Sequence, residues 1–445
     1  MSILEKIEAA GVVGCGGAGF PTHHKLTGPM EYLIVNGAEC EPLLRTDRYL
    51  MRSKAPQLIK AIAALGEELG IPHLVIALKH HYEEETAALE RAIREAGAPI
   101  RIHALEGFYP AGDEQTIVYE VTGRVVPPGG IPAAVGAVVD NVATIYSVAL
   151  AMEGYPFTQK YLTVTGEVKT PTILKVPVGT GVSECIALAG GALRPDFRVV
   201  AGGPMMGRLI PEEELDTAVV TKTTSALLVL PAGGYHARTA AVDLERMVRR
   251  ARSACIQCSA CTQLCPRHLL GHPLQPHRIM RRLAMGGDLS QLVLDPTVQN
   301  AALCCECGIC EVYACPMGLF PRKINHLLKG ELARSGIRPT PQSAAVSPLR
   351  DSRKVPSEKA AARAGVWKYY DYEIQDLMTH VSRRVEIPIK MHIGAPCVPT
   401  VRVGDPVSHG DVIARPPQGA LGAVIHASID GRVVSVGERI VIEKE

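Results

Sequence analysis

The sequence predicts a multidomain protein of mixed α/β and α+β architecture, and three observations carry that expectation. At 445 residues the chain exceeds what one compact core usually holds, so two to four domains are expected. Its first third alternates apolar strand-like runs with amphipathic helical stretches, the pattern of an α/β layer. Nine of its 13 cysteines fall in two short runs, and beyond them lie only short alternating strands.

The elements follow in order. Ser2–Ala10 reads as a helix and leads into GVVGCGGAGFPTHHK (11–25). Gly14-Cys15-Gly16-Gly17-Ala18-Gly19 matches G-x-G-x-x-G, yet a helix precedes it where a dinucleotide fold would place a strand. Small residues there still let backbone N–H groups approach a phosphate or flavin, and Lys25 can neutralise negative charge nearby. A glycine-rich structural turn is the competing reading. YLIVNGAECEP (32–42) is a buried strand ending in Asn36, Glu39 and Glu41, and carboxylates at a strand end suit ribose hydroxyls. Asp47 and Arg48 open a helix, and 73–97 reads as strand then amphipathic helix, with His80 and His81 in a solvated turn.

The first cysteine run, CIQCSACTQLCP, is C-x2-C-x2-C-x3-C-P: Cys255, Cys258, Cys261, then Cys265 with Pro266. This is bacterial ferredoxin spacing, in which three close thiolates wrap one cubane and the fourth turns to its neighbour. The second run, CCECGICEVYACP, repeats it with Cys304, Cys307 and Cys310, but closes on Cys315-Pro316 after four residues instead of three. Two [4Fe–4S] clusters are expected: one on Cys255, Cys258, Cys261 and Cys315, the other on Cys304, Cys307, Cys310 and Cys265. The extra residue before Cys315 should bulge the turn and keep the ligand. Cys305 reads as a non-ligand, with exchange for Cys304 as the alternative. Zinc knuckles fit poorly, since they use paired CxxC hairpins or Cys/His mixtures. The segment between the runs, 266–303, reads as helices, and its His268, His272 and His277 as polar surface.

Composition narrows the classes. Lys+Arg 47 against Asp+Glu 45 leaves a net charge of +2, which removes any global case for nucleic acid or anionic lipid. Gly 42 and Pro 33 with 4% aromatics suit many turns and short strands. Acidic residues stand where a secretory signal would be apolar, and Asp140-Asn141 interrupt the most apolar stretch, so neither export nor a membrane span is expected. Thirteen cysteines then point to metal in a reducing cytoplasm, not to disulfides.

GGAGFPTHHK with VNGAECEP resembles the flavin- and NADH-binding subunit of respiratory complex I, whose motifs read about GGAGFPTGxK and NADExEP. FYPAGDEQTIVYEVTGR (108–124) and VVDNVATIYSVA (138–149) are more similar to the Rnf complex C-subunit family. Within that family the chain resembles the cobalamin reductases of propanediol-utilisation microcompartments, a likeness the CCEC start of the second run strengthens. The resemblance implies FMN bound by Gly16, Gly17, Gly19, Lys25, Asn36, Asn141 and Thr144. It places NADH near Phe20, Glu39, Glu41, Tyr109 and Asp113. Ala38 and His23 depart from the complex I motif where it has Asp and Gly.

The resemblance also sets the expected domains: a Rossmann-like FMN/NADH domain at 1–155, a β-grasp-like SLBB domain with connecting segment at 156–240, and a helical dicluster ferredoxin domain at 241–336. A Pro-, Ser- and Ala-rich linker at 337–366 follows, then a lipoyl-like barrel-sandwich hybrid at 367–445. Ser428-Ile429-Asp430-Gly431 offers no attachment lysine, so that last domain reads as a docking module. The corresponding domain of the Rnf subunits stands at the N-terminus. AGGPMMGRL (201–209) reads as a structural turn, and Cys185 and Cys397 as isolated thiols. The implied activity is an NADH-dependent flavo-iron-sulfur oxidoreductase with the cofactors carrying the chemistry. Its implied acceptor is a corrinoid or a corrinoid adenosyltransferase, in a cytoplasmic or microcompartment setting with shell proteins as partners. The alternatives are an Rnf-type subunit and an electron-transfer or scaffold protein with a degenerate NADH site.

Overall fold

A parallel sheet begins the chain. The computed structural model describes every residue but Pro341 and Gln375. Helix α1 (Ile3–Ala9) starts at a capping box in which Ser2 and Glu5 satisfy each other's backbone N–H groups. Strands β1 (Tyr32–Gly37), β2 (His73–Lys79), β3 (Ile100–Leu105) and β4 (Ala137–Asn141) form the sheet in the order β3-β2-β1-β4, parallel throughout. Between them run α2 (Thr46–Ser53), α3 (Ala55–Leu69), α4 (Glu83–Ala96) and α5 (Glu114–Thr122), and α6 (Val142–Met152) follows β4. Leu33, Val35, Leu58, Ile62 and Val148 close the core between sheet and helices. Strand order reverses beside β1, so the C-terminal ends of β1 and β4 open a crevice, the usual ligand position in such sheets.

The next unit is a six-stranded mixed sheet. Strands β5 (Gln159–Gly166) and β6 (Thr172–Pro177) form a hairpin, α7 (Val182–Leu188) crosses it, and β9 (Ala226–Pro231) returns parallel to β5. This is a β-grasp arrangement. β7 (Phe197–Ala201) and β8 (Arg208–Ile210) extend one side. The other edge is covered by β10 (Leu377–Thr379), which arrives from far along the chain and pairs parallel with β6.

Helices α8 (Leu244–Ala254), α9 (Pro276–Ala284) and α10 (Pro321–Arg334) surround the cysteine runs, with Met247, Ile279, Leu283 and Ile324 in their core. Short helical turns fill 266–303, as the sequence suggested. His272 is not polar surface: it is 2% exposed and bonds the Val126 carbonyl of the first unit. His277 is half-buried against Thr262.

Residues 350–366, the second half of the segment expected as a linker, are built into the body. Val355–Pro356 pairs antiparallel with Phe108–Tyr109, and a helix at Ser357–Arg363 buries Ala360 and Ala361 beside Leu43, Ile309 and Val312. Arg350 binds Glu120, and Lys354 reaches Glu106 and Glu120. The last unit stacks two small antiparallel sheets around Val385, Ile387, Ile413, Ile440 and Ile442. Among the described residues no helix is long and apolar enough to cross a membrane.

Candidate functional site: a glycine-rich cavity walled by cysteines

The glycine loop lies over the crevice between β1 and β4. Gly14 closes it by donating to the Phe20 carbonyl, and the Cys15 N–H anchors it on Thr144 Oγ1 at 2.9 Å. Gly19 has φ +74°, and a Cβ there would sit 2.9 Å from Thr223 and 3.0 Å from the Met391 carbonyl, so only glycine fits. A Cβ on Gly17, in contrast, would meet no atom within 4 Å. Gly17 borders open cavity.

That cavity is about 450 Å3, within the range of small-molecule sites. All twelve residues that the resemblance assigns to FMN or NADH border it. Asn36 and Asn141 are direct cross-strand partners at the ends of β1 and β4. Phe20 stands at the rim, 36% exposed.

The acidic side chains around the cavity are already engaged. Glu39 accepts from the Asp47 and Arg48 N–H groups at 2.9 and 3.3 Å, capping the start of α2. Glu41 accepts from Met205 N–H at 2.8 Å and Met206 N–H at 2.9 Å, which ties the 201–209 turn to the cavity. Asp113 caps α5 through the Thr116 N–H and pairs with Arg267 through both oxygens. Lys25, expected to neutralise a ligand's charge, holds Glu114 at 2.9 Å and Asp140 at 3.6 Å. Burial pushes Glu41 up to about 7, and burial followed by the Glu39 charge does the same to Asp47. At neutral pH the walls are therefore less negative than a count of carboxylates suggests.

The fit to a phosphate-bearing flavin rests on what is left over. Asp140 Oδ2 is buried without a partner, an acceptor for a ligand hydroxyl or N–H. Lys160 borders the cavity and is 3% exposed, and its ammonium makes no hydrogen bond or close ion pair among the described residues, with the Asp47 charge within reach. Together with the gap at Gly17 these suit a ligand with hydrogen-bond donors and negative charge. Gly17→Val should accordingly lose its flavin, because a branched side chain enters the gap. Flavin released by acid precipitation measures it, and full occupancy in that variant puts the flavin elsewhere.

The far wall is made of cysteines. Cys305 and Cys307 both border the cavity, and Tyr109 Oη donates to the Cys307 carbonyl at 2.7 Å. Two groups of cysteines lie beyond. Cys255, Cys258, Cys261 and Cys315 line one small pocket, so the last cysteine of the second run joins the first. Cys265 lies within electrostatic reach of Cys305 and then Cys304, and Cys307 within reach of Cys305, Cys310 and Cys265, so Cys265 joins the second run and Cys305 stands among its thiols. Gln257 Nε2 donates to the Cys255 sulfur at 3.1 Å, and the Glu306 N–H to that of Cys304 at 3.4 Å. Among the described residues no three His, Cys, Asp or Glu converge to hold a single metal ion.

A π-helical turn at Ile309–Ala314 absorbs the extra residue before Cys315. Such a turn carries one more residue per hydrogen-bonded loop than an α-helix, so Cys315 still faces the first group.

Four family descriptions match the chain: a Nuo51 FMN-binding domain over residues 7–150, an SLBB domain over 161–209, a 4Fe-4S dicluster domain over 254–320, and an RnfC barrel sandwich hybrid domain over 371–445. A cobalamin reductase PduS of Salmonella typhimurium is 40% identical over 440 residues, spanning 99% of this chain and 95% of that one. The chain belongs to the PduS family. It is thus an oxidoreductase with a flavin domain, an iron-sulfur domain and a barrel-sandwich hybrid. The C-subunit of the ion-translocating oxidoreductase complex of Rhodobacter capsulatus is 36% identical over 270 residues, 59% of this chain and 49% of its own. A solved NAD+-reducing [NiFe]-hydrogenase is 21% identical with a TM-score of 0.47, over 76% of this chain and 62% of that one.

Several residues of this PduS-family site carry no sequence motif. Lys160 lies in an apolar strand where a lone lysine gives no signal. Arg267 follows Cys265-Pro266, and its position just after that cysteine was the available signal. Met206 and the 201–209 turn serve as partners of Glu41, more than a turn for its own sake.

Proposed function

We propose that this PduS-family oxidoreductase takes electrons from NADH and delivers them, by way of FMN and two [4Fe–4S] clusters, to the cobalt of a corrinoid. The observation that carries this reading is the shared cavity: one space is bordered by the glycine loop and by Cys305 and Cys307. Bound FMN supplies hydride acceptance and single-electron release, and the clusters relay single electrons. The chain's own residues position and enclose. In this reading Gly16, Gly17, Gly19, Lys25, Asn36, Asn141 and Thr144 hold FMN, and Phe20, Glu39, Glu41, Tyr109 and Asp113 shape the nicotinamide side. Two thiolate cages formed by Cys255, Cys258, Cys261, Cys315 and by Cys304, Cys307, Cys310, Cys265 hold the clusters. The corrinoid acceptor is suggested by the full-length relatives, which are named for cobalamin reduction, and a corrinoid adenosyltransferase is the partner that would use its product. A cytoplasmic site, inside a microcompartment where one is present, belongs to the same reading.

Anaerobic stopped-flow mixing tests it. NADH should bleach the flavin of the reconstituted protein, and added cob(III)alamin should be reduced. Absence of NADH-driven bleaching would leave an electron-transfer protein with a decayed entry site, as Ala38 and His23 would then mark. Glu39→Gln should lower kcat/KM for NADH roughly tenfold to hundredfold, the equivalent of about 1–3 kcal/mol. Its iron and FMN content should stay at the parent level, and dithionite should still reduce the clusters. Parent rates with NADH refute the role of Glu39.

A further inference from the structure

A second pocket of about 420 Å3 lies behind the flavin cavity, where three units of the chain meet. The first unit contributes Tyr146, the β-grasp unit Phe157, Lys160, Tyr161 and Lys175, and the C-terminal unit His409. Cys15, Ala143, Lys160 and Tyr161 border both spaces, so the two pockets are separated by a single layer of side chains.

Its chemistry is one-sided. Among the described residues no Asp or Glu lines it, while two lysines do. Lys160 is 3% exposed and has the Asp47 charge within reach on the flavin side, while the Lys175 ammonium has no ion-pair or hydrogen-bond partner among the described residues. A half-buried ammonium against aromatic walls, with no carboxylate beside it, attracts an anion. The other walls are aromatic. Tyr146 and Tyr161 meet edge to face at 5.6 Å, Lys175 Nζ stands 5.8 Å from the Tyr161 ring, and Lys160 Nζ 6.0 Å from that of Phe157. His409 Nε2 is fixed on Thr158 Oγ1 at 2.8 Å. Aromatic walls favour a flat ring, and the unpaired Lys175 amine favours an acidic substituent on it.

We propose that this pocket is a second small-molecule site, built for a planar aromatic molecule that carries a carboxylate, sulfonate or phosphate. The proposal does not depend on which electron donor or acceptor the protein uses.

The test is calorimetric titration of the FMN- and cluster-loaded protein with 2-naphthoate, and with neutral 2-naphthylmethanol. Naphthoate should bind saturably, at one site, and more tightly than the alcohol. Lys175→Met should weaken naphthoate roughly tenfold or more, as expected for one lost charge-assisted contact. It should leave the alcohol unchanged, and Lys175→Arg should restore naphthoate binding. Val381, 59% exposed and bordering the pocket, gives a second variant less exposed to folding defects: Val381→Trp should narrow the entrance and weaken both probes. Absence of saturable binding, equal affinity for acid and alcohol, or an unchanged affinity in Lys175→Met each overturns the proposal. Displacement of naphthoate by NADH also overturns it, since that would place the probe in the flavin cavity.

Discussion

Cys307→Ala, reconstituted anaerobically with iron and sulfide, is expected to hold about four irons per chain where the parent holds about eight. Cys305→Ala is expected to keep the parent's content. The two cysteines are two positions apart and border the same cavity, so chemistry alone does not separate them. Spacing does: Cys304, Cys307 and Cys310 repeat the interval of Cys255, Cys258 and Cys261. Loss of iron from Cys305→Ala would make Cys305 the ligand in place of Cys304. A parent value near four would refute the second cluster. The same preparation separates the cages, because Cys315→Ala should empty the one that Cys255, Cys258 and Cys261 line.

Asp113→Ala should be the most destabilising single change at the joint between flavin domain and clusters. Arg267 is nine-tenths buried and forms a two-point pair with Asp113. Burial alone would raise the Asp113 carboxyl, but the guanidinium outweighs it and holds the group below the usual carboxylate range. Removing the carboxylate leaves a buried guanidinium without a counter-charge, which costs about 3–5 kcal/mol. The lost cap on Thr116 adds roughly 1 kcal/mol. Urea titration followed by flavin release should show the midpoint falling. Because the damage is an orphaned charge, Asp113→Ala with Arg267→Met should recover much of the loss. A double variant no better than the single would mean that the pair matters through shape and not charge.

These expectations divide into what short-range pattern conveys and what it does not. β1, β2 and their helices were legible because burial on one face imposes a period within a few residues. The 4Fe-4S dicluster domain was legible because cluster ligands keep local spacing. Engagement of the carboxylates was not, since Glu41 is spent on Met205 and Met206, 164 and 165 residues away, and Asp113 on Arg267. Residues 350–366 misled by composition: proline, serine and alanine resemble a tether, yet Ala360 and Ala361 pack tightly at 0% exposure. His272 misled in the same way, as a polar residue whose acceptor lies in another unit.

The C-terminal barrel leans directly on the start of the chain. Lys222 Nζ donates to the carbonyls of Gly11 and Val424 at 2.7 and 2.9 Å, and the Ile393 N–H donates to Gly19. A module from one end of the polypeptide therefore helps to shape a loop formed at the other, and removing the barrel would uncover the glycine loop at Gly11 and Gly19.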